Sequence, residues 1–159
     1  MTSELLTPRA RLAELGLALP PVPVPAADYV PAVRAGGFVY TSGQLPLRDG
    51  TIVATGSVGG EVSTDAAAAL ARLCALNALA AIDELVGLDA VVRIVKLTGF
   101  VASAPGFVGQ SLVINGASGL VREVFGAAGA HARSAIGVFA LPMNAPVEVE
   151  LVAEVAADL

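Results

Sequence analysis

A strand that is apolar on both faces has to be covered on both, and the C-terminal third of this chain is built of such strands. Residues 131–142 and 147–152 have short, alternating, β-branched patterns, and Met143-Asn144-Ala145-Pro146 between them has turn chemistry, so the two segments read as a hairpin. Because successive strand side chains point to opposite faces, Arg133, Ala135, Gly137, Phe139 and Leu141 share one face. Ser134, Ile136, Val138 and Ala140 share the other, and both faces are mostly apolar. Arg133 on one strand, with Glu148 and Glu150 on the strand expected beside it, is the most conspicuous charge on this background. By the residues alone, that grouping reads as a cross-strand ion pair or as a site.

The rest of the chain supplies the partners for one of those faces. Thr7-Pro8 opens a short helix that Gly16 stops, and the prolines between Pro20 and Pro25 make a stiff extended arm. Two strands around Gly36-Gly37 follow, and Gly43-Gln44-Leu45-Pro46 interrupts the second with a bulge or a place where a ligand approaches the backbone closely. Arg48-Asp49-Gly50 turns into a short strand from Thr51. Ser63, Thr64 or Asp65 caps a long alanine-rich helix to Val86, stopped by Gly87. Residues 90–101 form the next strand, long and apolar enough for the sheet's centre, and Ser103-Ala104-Pro105 opens a second helix to Phe125. The order predicts an α+β fold: one mixed sheet with two helices packed on one face. Two helices cover one side only, so the other side calls for a second subunit.

Composition sharpens the same point. At 159 residues the chain has the size of one domain, yet 55% of it is hydrophobic and 14% charged, more apolar material than a monomer of this size hides. No stretch holds about 20 uninterrupted apolar residues, so association with other copies is expected rather than with a membrane. A net charge of -5 argues against a nucleic-acid surface, and one cysteine with one histidine makes neither a disulfide nor a usual metal set. No cofactor is expected. The N-terminus lacks a signal-peptide core, which makes the cytoplasm the expected location.

Four pieces in order resemble the reactive-intermediate deaminase family (RidA, also called YjgF). They are Tyr29-Val30, Thr41-Ser42-Gly43-Gln44-Leu45-Pro46, Asn115, and Ala132-Arg133-Ser134 running through Leu141-Pro142 to Glu148-Val149-Glu150. The resemblance spans about Pro25 to Val155, which divides the chain into an N-terminal helix and Pro-rich arm over 1–24 and a single domain over 25–159. It implies a chorismate-mutase-like homotrimer whose sheets face inward. It also implies hydrolysis of small 2-imino or 2-enamino acids to 2-keto acids and ammonia in clefts between subunits.

On that resemblance Arg133 binds the substrate carboxylate and Glu148 handles the attacking water. The backbone at Gly43, the Tyr29 hydroxyl and Asn115 complete the polar contacts, and Ala135 stands where members commonly carry a cysteine. The chemistry suits the residue types, since the arginine fork takes a carboxylate through two parallel hydrogen bonds. Other readings stay open: a trimer that binds a small carboxylate metabolite without turnover, and, more weakly, an endoribonuclease. Tyr29 also reads as a core or interface aromatic, and Asn115 as a backbone-bonding residue beside Gly116. His131 reads as a loop residue with no serine beside it, and Cys74 as an inert buried thiol.

Overall fold

A computed structural model describes residues 6–25 and 27–157. The elements are α1 (Pro8–Glu14), β1 (Ala32–Ala35), β2 (Phe38–Thr41), β3 (Leu47–Arg48), β4 (Thr51–Ile52), α2 (Thr64–Val86), β5 (Val91–Ala102), α3 (Gln110–Phe125), β6 (Ala132–Val138) and β7 (Val147–Val155). A five-stranded sheet has the order β1-β2-β7-β5-β6, antiparallel except for the parallel pair β5 and β6. β3 and β4 make a separate two-stranded ribbon whose turn residues, Asp49 and Gly50, both have positive φ, as a two-residue hairpin requires. The fold is therefore mixed α+β around a mixed sheet.

The expected hairpin of 131–142 and 147–152 is not formed. β6 pairs with β5 alone among the described strands, and β7 lies between β2 and β5. The cause is the crossover: a strand, a helix and a strand in succession make β5-α3-β6 a parallel unit, so β6 arrives on the outer side of β5. Residues after Val138 then pass the end of β5, where Ala102 N–H donates to Pro146 O at 2.9 Å and Ser103 N–H to Val138 O at 2.9 Å. A short turn at Pro142–Asn144, with Met143 and Asn144 at positive φ, sends the chain back antiparallel to β5.

α2 starts where the Ser63 hydroxyl accepts Ala66 N–H at 3.2 Å and ends at Gly87, at φ 82°. Its 23 residues have the length and composition of a membrane span, despite the absence of an unbroken apolar run, but 61% of the most apolar window is buried inside the chain's own core. α3 begins at Gln110 rather than near Ser103. Residues 103–109 form a turn, fastened by Gln110 Nε2 donating to Ser103 Oγ at 3.2 Å and to Phe107 O at 2.9 Å.

Along β7, Val147, Val149, Leu151, Ala153 and Val155 are buried, and Glu148, Glu150, Val152 and Glu154 alternate with them half-buried. α2 packs against β7 and α3 against β5, and Ile114 of α3 sits where a side chain at Gly99 would be. The opposite side presents Phe38, Tyr40, Glu148, Glu150, Phe100 and Ile136, and three of these large apolar residues, Phe38, Tyr40 and Ile136, are exposed. The N-terminal helix is docked on the domain: Leu12 is buried in the common core, and Arg9 pairs with Asp83 of α2.

Candidate functional site

The bulge expected at Gly43 is present, and it brings Glu148 to the backbone. After Tyr40 pairs with Val152, the ladder resumes only at Gln44 and Val149. Thr41, Ser42 and Gly43 thus stand opposite Glu150 and Leu151, one residue too many for a regular ladder. Thr41 Oγ1 fills the gap by accepting Leu151 N–H at 2.9 Å. A Cβ at Gly43 would collide with the Glu148 carboxylate, its carbon only 2.8 Å away, so glycine is what lets that carboxylate lie against the loop.

Glu148 is half-buried and has no ion-pair partner among the described residues. Burial, and then the charge of Glu150, raise its pKa above the ordinary carboxylate value. A carboxylate so placed holds a proton more readily than an exposed one, as proton transfer at neutral pH requires. Tyr29 is exposed, not a core aromatic. With Pro25, Pro31, Gly43, Gln44 and Met143 it lines a shallow pocket of about 60 Å³ on this side of the molecule.

Arg133 is built into a different place. Its partner across the ladder is Leu97, whereas that of Glu148 is Phe100, and residues three apart on β5 point to opposite faces. Arg133 therefore turns toward α3, where Nη1 donates to Asn115 Oδ1 at 2.8 Å and to Ser118 Oγ at 3.3 Å. Nη2 reaches the Ser111 carbonyl at 3.5 Å, the outer limit of a hydrogen bond. Nε–H donates to none of the described residues and one Nη2 proton is taken by the long contact to Ser111, so Nε with the second Nη2 proton is the edge left for a carboxylate. Ala135 lies one step along the same face, packed against the core.

The sequence-predicted residues thus form two groups, Arg133 with Asn115 and Ala135, and Glu148 with Gly43 and Tyr29. Within one chain the sheet separates them, and a cross-strand pair of Arg133 with Glu148 or Glu150 is ruled out because β5 runs between β6 and β7. A concavity of about 560 Å³ between the N-terminal arm and α2 holds neither group. No set of three His, Cys, Asp or Glu side chains among the described residues converges as a metal site would. Cys74 is fully buried, its thiol pushed up first by burial and then by Glu148.

One contact was missed in the sequence. His131 does have a serine beside it: Ser118 Oγ lies 2.9 Å from Nε2, and the other ring nitrogen is 2.7 Å from Gly129 O. Helical spacing puts Ser118 on the face of Asn115, three residues back, and strand alternation puts His131 in phase with Arg133, two residues on. Those two periodicities were the available signal.

The family model for Endoribonuclease L-PSP matches residues 21–155. A protein of unknown function from Agrobacterium tumefaciens is 46% identical, with TM-score 0.87, covering 94% of this chain and 92% of its own. A protein solved as an endoribonuclease candidate from Shewanella oneidensis is 32% identical, with TM-score 0.91, covering 94% and 100%. More distantly, TdcF of Escherichia coli, solved with bound serine, is 28% identical with TM-score 0.58, covering 85% and 94%.

Proposed function

The chain belongs to the Endoribonuclease L-PSP family, also called YjgF or RidA, and from that premise we propose that it hydrolyses small 2-imino and 2-enamino acids to 2-keto acids and ammonia. The observation that carries the reading is Arg133, whose Nη1 is anchored on α3 while its Nε and Nη2 edge stays open for a carboxylate. The serine held by TdcF is a ligand of that carboxylate-bearing kind.

In the proposed reaction Arg133 and Asn115 orient the substrate carboxylate. Glu148 takes a proton from water as its oxygen bonds to C2 and the C=N π electrons move to nitrogen. With the imine nitrogen protonated from the start (a 2-enamino acid first takes a proton at C3 to give the same iminium), the addition leaves a carbinolamine. Glu148 passes its proton to the amine, the C–N bond breaks as the hydroxyl becomes the C=O and gives its own proton back to Glu148, and ammonia leaves a 2-keto acid. Because Arg133 and Glu148 project from opposite faces of one sheet, the complete site takes the Arg133 group from one copy and the Glu148, Gly43 and Tyr29 group from another. A homotrimer of chorismate-mutase-like subunits, sheets inward, supplies such a cleft and covers the open sheet face. The domain over 25–159 carries this chemistry in the cytoplasm, with 1–24 as an N-terminal helix and Pro-rich arm laid against it.

The test generates an imino acid in place with an amino-acid oxidase and follows keto-acid formation. Acceleration over buffer is expected, and its absence with the wild type contradicts the proposal. Two charge-assisted hydrogen bonds at roughly 1.5–3 kcal/mol each make Arg133→Ala slower by at least about 100-fold, and Arg133→Lys, which keeps charge without the fork, nearly as slow. Carboxylate binding without turnover is the second reading, favoured by Ala135 in place of the usual thiol. It predicts Arg133-dependent thermal stabilisation by 2-keto acids and no acceleration. A ribonuclease function fits less well with nine Lys and Arg against fourteen Asp and Glu.

A further inference from the structure

Ser118, His131 and the Gly129 carbonyl stand in line behind Arg133, and with the imidazole neutral their donor and acceptor roles follow from one another. Gly129 O can only accept, so His131 Nδ1, at 2.7 Å, carries the proton. In the neutral ring Nε2 is then a bare acceptor, and the Ser118 hydroxyl, at 2.9 Å, donates to it. With its proton spent there, Ser118 Oγ offers a lone pair to Arg133 Nη1, which it meets at 3.3 Å. Asn115 Oδ1 takes the other Nη1 proton. Ser118 and His131 are both half-buried, so solvent competes only in part for these groups.

We propose that Ser118 and His131 are a positioning pair for Arg133: neutral, Nδ1-protonated His131 fixes the Ser118 hydroxyl so that it takes up Nη1 and leaves the Nε and Nη2 edge to the substrate carboxylate. The function of the pair rests on the carboxylate-binding role of Arg133, but its geometry does not. Without Ser118 one Nη1 proton has no acceptor on the protein, and the guanidinium is free to turn that proton toward the ligand and lose the side-on fork. A serine held in this way serves no nucleophilic purpose. The pair acts through the arginine and touches no substrate.

The first arm of the test is structural and needs no substrate. His131 is the chain's only histidine, so ring 15N spectra of the full chain at neutral pH report it without overlap. They should show Nδ1 protonated and Nε2 bare, and the opposite tautomer overturns the proposal whether or not imines are hydrolysed. The second arm measures pyruvate binding and the imine kinetics. Ser118→Ala should weaken pyruvate about tenfold and raise KM similarly, with kcat within about twofold, whereas Ser118→Thr, which keeps the hydroxyl, stays near wild type. His131→Phe, similar in shape without an acceptor, should follow Ser118→Ala, and His131→Gln, whose carbonyl replaces Nε2, should recover most of the affinity. Unchanged pyruvate affinity in both Ser118→Ala and His131→Phe overturns the pair. Loss of imine hydrolysis in the wild type, with the tautomer and the pyruvate effects intact, overturns only the deaminase reading.

Discussion

At the scale of single residues, Glu148 makes a prediction separate from catalysis. Its pKa in the folded chain is raised by burial and then by Glu150, so between the ordinary carboxylate value and the raised one the folded state binds more protons than the unfolded. The sign follows: this group costs nothing at about pH 4 and destabilises the fold as pH rises through that window. Glu148→Gln, which stays neutral, should therefore match the wild-type thermal midpoint near pH 4 and exceed it at neutral pH, the gap opening as pH rises. A melting series across pH checks this. A gap that is constant, or that opens in the acid direction, contradicts the placement of Glu148. Arg133 shows a different logic, since its role depends on which of its nitrogens are already engaged by Asn115, Ser118 and Ser111.

At the scale of elements, two glycines of α3 separate packing from propensity. Gly116 lies against the backbone of α2, where a Cβ would strike the Ala68 carbonyl group, 2.7 Å from its carbon, while Gly119 has nothing within 4 Å of where its Cβ would be. Gly116→Ala should force the two helices apart and cost about 1–3 kcal/mol. Gly119→Ala should stabilise the chain by about 0.5–1 kcal/mol through helix propensity. Urea unfolding of the two variants measures both, and equal effects would contradict the close approach at Gly116. The same helix shows what was legible in the sequence. Its end at Gly126 is readable from the glycine, but Ser103-Ala104-Pro105 mimics an N-terminus that the helix does not use, and Gly109 begins α3 with no side-chain cap. Strand existence and the bulge at Gly43 were readable from alternation and glycine. Strand neighbours were not: turn-like residues at 143–146 suggested a hairpin, and only the crossover through α3 sets β6 outside β5. For the site, residue types were legible and the grouping was not, because which face Arg133 takes depends on its register against Leu97.

At the scale of the whole molecule, a sheet with helices on one side and Phe38, Tyr40 and Ile136 exposed on the other is an incomplete burial problem. The division of the site residues between the two faces is an incomplete chemical one. A second copy resolves both, if the Arg133 group of one subunit meets the Glu148 group of its neighbour. Two variants, Arg133→Ala and Glu148→Gln, each inactive alone, provide the direct measurement when unfolded together in equal amounts and refolded as mixed assemblies. In a cyclic assembly a site is intact when one neighbour keeps Arg133 and the other keeps Glu148, a chance of one half for each, so the mixture should recover about a quarter of wild-type imine hydrolysis. Activity no higher than that of either variant alone, in assemblies shown to be mixed, would contradict a site shared between subunits.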